Sequence, residues 1–114
     1  MLLPDVRNAE IAEEKIKAYL LNPHHPDGES KARFFLSLGF SSESWEAFAA
    51  AIRLLASRFE VIHTIESIHG LKYIVDGRIE SPNGKSPFIR TVWIVDAGRE
   101  TPRLVTAYPL DGGE

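Results

Sequence analysis

The spacing of apolar residues changes period once, near residue 58, and that switch decides which architectures are open to this chain. Before it, apolar side chains recur at helical intervals; after it, they alternate. Ala12, Ile16, Tyr19 and Leu20 fall at i, i+4, i+7 and i+8, one stripe of an amphipathic helix. Asn8 is its expected N-cap and Asn22-Pro23 its stop. Pro23 to Gly28 reads as loop. A short helix is predicted over Ser30 to Leu38, with Gly39 in the left-handed position that ends it. Ser41 or Ser42 caps a third helix, with Glu43 and Glu46 in the first turn, where the dipole favours anions. Its buried stripe is Trp45, Phe48, Ala49, Ile52, Leu55 and Ala56.

From Phe59 onward, Phe59, Val61, His63 and Ile65 alternate with Glu60, Ile62, Thr64 and Glu66. His69-Gly70 marks a hairpin turn, after which Leu71, Tyr73 and Val75 alternate with Lys72, Ile74 and Asp76. Gly77 suggests a bulge or bend. Pro82-Asn83-Gly84 is a turn, Phe88 to Val95 a strand, Ala97-Gly98 a loop, and Arg103 to Tyr108 the last strand. The expectation is an α+β fold in one domain across residues 1–114, helical over about 8–57 and a sheet over about 58–109. The N-terminal helices would pack on one face of a four-stranded antiparallel sheet. The other face would be open to solvent or a ligand.

Composition removes several function classes. With 44% apolar and 25% charged residues, the chain is neither disordered nor collagen-like. Its apolar runs, such as Ala47 to Ala51, fall far short of the roughly 20 residues that cross a bilayer. No basic-then-apolar leader opens it, so no membrane association and a cytoplasmic location are expected. The absence of cysteine excludes disulfides, thiol nucleophiles and thiolate-bound zinc. A net charge of −3 argues against a general nucleic-acid coat protein. Residues 58–110 nevertheless carry 7 basic against 6 acidic side chains, so a local anion site fits there.

Polar chemistry concentrates from His24 to Arg33. A helix start with free N–H groups, an imidazole, Lys31 and Arg33 suits a phosphate. The same residues also fit an ordinary capped helix with solvated charges. Adjacent His24 and His25 with Asp27 lack the spacing that aims several ligands at one ion, so no metal site is expected. His63, on the apolar parity of its strand, reads as a hydrogen-bonded core histidine, and His69 as exposed. On the sheet, if Val92, Ile94, Val105 and Ala107 face the helices, then Thr91, Trp93, Thr106 and Tyr108 line the open face with Lys72. Such a face suits a nucleotide through stacking and phosphate contacts, or is simply a stabilising cross-strand ladder. That facing makes Trp45 core and Trp93 partly exposed. It also puts Arg90 and Arg103 on the core side, where they are strand-end charges or a sign that the facing is reversed. No phosphate loop, dinucleotide fingerprint or serine-hydrolase motif is present.

Leu20-Leu21-Asn22-Pro23, His25-Pro26, Gly28, Ser30-Lys31-Ala32, Phe34-Phe35 and Leu38-Gly39-Phe40 form one signature. With Lys72-Tyr73, Thr91-Val92-Trp93-Ile94 and Arg103 to Pro109, they resemble a small bacterial family named only as a domain of unknown function. The resemblance runs from about Ile11 to Pro109. Members of that family occur free-standing and at the C-terminal tips of large secreted polymorphic toxins. The layout is also similar to the barnase–EndoU–colicin–RelE class of toxin ribonucleases. The resemblance implies RNA cleavage without a metal or other cofactor, by attack of the 2′-hydroxyl on the adjacent phosphate. That reaction needs a base, an acid and a cation for the oxyanion. On this reading His25 is the acid or base, Lys31 and Lys72 stabilise phosphate, and Thr106 orients a phosphate oxygen. Thr91, Trp93 and Tyr108 form the surface that holds a base. The implied partners are an RNA substrate and an antitoxin or immunity protein. The competing expectation is a non-catalytic interaction module, or an inactive relative, that uses the open sheet face.

Overall fold

In the computed structural model, which describes residues 1–110, the change of period falls at the junction of helix α3 and strand β1. α3 (Trp45–Arg58) ends at Phe59, whose backbone is extended, and β1 (Val61–Ser67) follows. β2 (Gly70–Arg78), β3 (Phe88–Asp96) and β4 (Arg103–Pro109) complete an antiparallel sheet in the order β1-β2-β3-β4. The expected α+β meander is thus the fold.

The helical half begins differently from the expectation. Asn8 closes a 3₁₀ turn (Val6–Asn8) and donates to Asp5 Oδ1, while the helix α1 (Glu13–Lys15) starts after Ala12. The reason lies in Glu10, whose N–H donates to Pro102 O and whose carbonyl accepts from Leu104 N–H, both at 2.9 Å. A backbone engaged in that short parallel bridge to the edge of β4 cannot also begin a helix. α1 then runs into a π-helical segment (Ile16–Leu20), closed by Leu21 N–H donating to Ile16 O at 2.8 Å. α2 (Glu29–Ser37) ends at Gly39, and the Ser41 side chain caps the 3₁₀ turn that leads into α3 by accepting from Ser44 N–H.

One apolar core joins these layers. Ile16, Leu20, Phe35, Phe48, Ile52 and Leu55 from the helices meet Tyr73, Val75, Ile89, Trp93, Leu104 and Ala107 from the sheet. Trp93 is fully buried and Trp45 only partly so, the reverse of the expected ranking. Thr91 and Trp93 therefore face the helices. Arg90, Val92 and Ile94 face away, as the position of Arg90 had allowed. Two irregularities set the facing. In β4 the register skips Val105, so Leu104 pairs Trp93 and Thr106 pairs Val92, which buries both Leu104 and Ala107. In β1 the register skips Ile62, which carries His63 to the far face opposite Ile74, exposed and not in the core as expected. Gly77 is regularly paired with Ile89 and is no bulge. A Cβ there would lie 2.5 Å from the Phe59 ring, so glycine is what lets Phe59 pack down on β2.

Candidate functional site

Where the π-helical segment, the first turn of α2 and the edge strand β4 meet, six polar side chains converge. Lys31 projects from α2 past the edge of the sheet, and its ammonium donates to the Tyr19 hydroxyl and, at 3.3 Å, to Thr106 Oγ1. It lies 4.9 Å from the Tyr19 ring centroid and 5.7 Å from that of Tyr108. Lys15, one turn before Tyr19, stands 5.4 Å from the Tyr19 ring centre. His25 meets Tyr19 edge-on, with ring centroids 4.9 Å apart. Its Nδ1 accepts the Asp27 N–H at 3.0 Å, which orients the imidazole and, in the neutral ring, puts the proton on Nε2.

The local sequence accounts for this convergence. The π turn widens the helix at Tyr19, a distortion that recurs at functional sites. Asn22 closes the loop by donating to Ala18 O and accepting the His24 N–H. Gly28 allows the chain to return against Tyr19, since a Cβ there would sit 2.9 Å from the phenol ring. A shallow cleft of about 380 Å³ opens beside the cluster, lined by Ala12, Glu14, Lys15, Ala18, Tyr19 and His25.

Electrostatics single out Tyr19. Burial by itself would push its phenol up; hydrogen bonding with Lys31 and Thr106, and the charges of Lys31 and Lys15, outweigh that and bring it below the usual phenol value. No carboxylate lies within ion-pair distance of Lys31 among the described residues, so its charge is left for an anion. Around the strand edge on the open face, Arg90 is tied to Asp76 by two bonds of 2.8 and 2.9 Å. Arg103 is tied to Asp96 in the same forked way. These two arginines are already neutralised.

Of the residues expected in a site, His25, Lys31, Thr106 and Tyr108 come together. Lys72 does face away from the helices, but it sits on β2 opposite Ile65 and Ile94. Two strand spacings, about 10 Å, separate it from the strand of Thr106. Thr91 and Trp93 lie under the helices, where Trp93 Nε1–H donates to Thr91 Oγ1 at 2.9 Å and Thr91 Oγ1–H donates to Val75 O at 2.8 Å. They are corrected to core residues, because a hydroxyl and an indole that satisfy each other can be buried. Tyr19 is the residue that sequence reasoning missed. Its place in an apolar stripe hid its hydroxyl, and only the Lys15–Tyr19 spacing of four offered a signal. Among the described residues, no three His, Asp or Glu side chains are grouped to hold a metal ion. No described helix is long and apolar enough to cross a membrane.

Comparison with characterised proteins returns no match. Among solved structures, a chain of the contact-dependent growth inhibition toxin–immunity protein complex from Klebsiella pneumoniae 342 is similar. It superposes with a TM-score of 0.70 at 16% identity, covering 94% of this chain and 97% of that one. At that identity the likeness establishes shared fold alone. The sequence profile of a family described as a domain of unknown function (DUF6883) matches residues 2–111, nearly the whole length, and the chain belongs to that family.

Proposed function

We propose that this domain is a toxin-like, metal-independent ribonuclease acting in the cytoplasm through the Tyr19, His25, Lys31, Thr106 and Tyr108 cluster. The observation that carries the reading is the Lys31 ammonium, held between two hydroxyls beside a cleft and unopposed by a carboxylate among the described residues. In the reaction, Lys31 faces the phosphate and stabilises the oxyanion as negative charge builds. Tyr19, as the phenolate that the Lys31 charge favours, takes the proton of the attacking 2′-hydroxyl and becomes the phenol. His25, oriented through Nδ1, donates a hydrogen bond from Nε2–H to the departing 5′-oxygen. That oxygen takes its proton from water, the hydroxide left behind restoring the Tyr19 phenolate; Tyr108 offers a ring to a neighbouring base. The likeness to a chain of a toxin–immunity protein complex supports a role as one member of such a pair, with a protein partner as the other.

The test is incubation of the purified protein with transfer, ribosomal and messenger RNA in chelator. The products should end in a 2′,3′-cyclic phosphate. Lys31→Ala and His25→Ala should each slow cleavage by roughly 10²–10⁴-fold. Lys72→Ala, remote from the cluster, should keep most of the rate, as should Lys85→Ala. Intact RNA in every wild-type reaction, or equal cleavage by wild type and Lys31→Ala, overturns the assignment. Intact RNA would instead favour the interaction-module reading, which has its own support in Ile62, Ile65 and Ile68, exposed at 55%, 43% and 90% on and beside edge strand β1.

A further inference from the structure

On another part of the surface, the 3₁₀ turn Val6–Asn8 packs against α3 and leaves an open groove of about 310 Å³ between them. Val6, Ala50 and Leu54 supply apolar lining, Ser57 closes one side, and Arg7 and Arg53 supply the charge. None of these residues belongs to the Tyr19 cluster.

Arg53 is the anomaly. One end of its guanidinium is pinned, with Nη2–H donating to Ala9 O at 2.9 Å. Its Nε–H is buried and has no acceptor, the one buried side-chain polar atom among the described residues left without a partner. Neither Arg53 nor Arg7 has a carboxylate within ion-pair distance among the described residues, although seven other cations do. Two guanidinium groups without a carboxylate leave positive charge for an acidic side chain of a partner to answer, and the Arg53 Nη2 bond to Ala9 O holds one of them in place. The volume is at the bottom of the roughly 300–1,000 Å³ range of small-molecule sites, and the groove lies open along the surface. It therefore suits one or two side chains inserted from a second protein better than an enclosed ligand.

We infer that this groove is a docking site for a partner protein presenting an Asp or Glu beside an aliphatic side chain. The carboxylate pairs with the Arg53 and Arg7 guanidinium groups, while the aliphatic group covers Val6, Ala50 and Leu54. This inference stands apart from the ribonuclease reading, and its test involves no RNA.

The test follows the Arg53 Nε–H signal and the Ala50 and Leu54 amides of the ¹⁵N-labelled protein by NMR. The probes are acetyl-Ala-Leu-Glu-Leu-Leu-Ala-amide, the same peptide with Gln for Glu, and hexanoate. The Glu peptide should shift all three signals saturably, and the Gln peptide should bind about tenfold more weakly, the difference expected for a charge-assisted hydrogen bond. Arg7→Gln, at an exposed position that leaves the fold intact, should weaken the Glu peptide and not the Gln peptide. Arg53→Gln should likewise narrow the discrimination, with circular dichroism confirming the fold. No saturable shift with the Glu peptide, or equal affinity for both peptides, overturns the proposal. Tighter saturation by hexanoate than by the Glu peptide also overturns it, because the groove would then be a site for a free acid.

Discussion

Trp93 and Thr91 show how a residue's role depends on what its neighbours leave unsatisfied. The Thr91 hydroxyl donates to the Val75 carbonyl and accepts the Trp93 indole N–H, so both polar groups are buried without an orphan. Trp93→Ala should cost roughly 3–5 kcal/mol in urea unfolding, the range for emptying a buried aromatic site. Trp45→Ala, at a partly exposed position, should cost clearly less. Thr91→Ala should cost about 1–3 kcal/mol, because it strands the indole N–H. A larger loss for Trp45→Ala than for Trp93→Ala would contradict the observed facing. The facing was hard to read because both parities of β3 are apolar: Ile89, Trp93 and Val95 on one, Val92 and Ile94 on the other. The polar residues should decide such a strand. Arg90 cannot enter the core without a buried partner, whereas Thr91 needs only a backbone carbonyl. Arg90 was therefore the informative signal, and an exposed tryptophan platform the misleading one.

Element boundaries were legible wherever local chemistry sets them. The α3 stripe, the Ser41 cap, Gly39 after α2 and the first hairpin, read at His69-Gly70 and turning one residue earlier at Ile68-His69, all follow from residues within one turn of the feature. Bulges were not legible, since a skipped residue is a property of two strands together. Val105 is such a residue. Leu104 pairs Trp93 and Thr106 pairs Val92, so removing Val105 would join two residues that already oppose consecutive partners. A Val105 deletion should therefore fold with its thermal midpoint lowered only modestly, and Lys31 should still reach Thr106. Deleting Val92 should abolish folding, because it would turn half of β3 over and drive Arg90 or Trp93 to the wrong face. Circular dichroism melts of the two deletions test this. Equal damage from both would mean that the bulge holds strain on which the sheet depends.

At the scale of the whole molecule, the candidate site and the closure of the fold both come from residues far apart in sequence. Tyr19, Lys31 and Thr106 are brought together across a separation of 75 residues between Lys31 and Thr106, which no local pattern records. The fold closes likewise, where the N-terminal segment docks on the β3–β4 connection. Glu10 bridges to β4, Arg99 pairs with Glu10 at 3.1 Å, Thr101 donates to Asp5, and Arg103 forks onto Asp96. The hydrogen bonds from Arg103 hold the Asp96 carboxyl below the ordinary aspartate value of 3.8; modest desolvation opposes this, and the charges of Arg103 and Arg99 assist it. Because the folded state depresses that value, the resulting stability is present above the ordinary value and is lost as pH falls through the folded one. Asp96→Asn should therefore be less stable than wild type near neutral pH, and the gap should close as the medium is taken from about pH 6 toward pH 2. Being surface pairs, these contacts should also weaken with added salt. Urea midpoints across that range are the measurement. A gap that stays constant with pH would show that Asp96 acts through the shape of the turn and not through its charge.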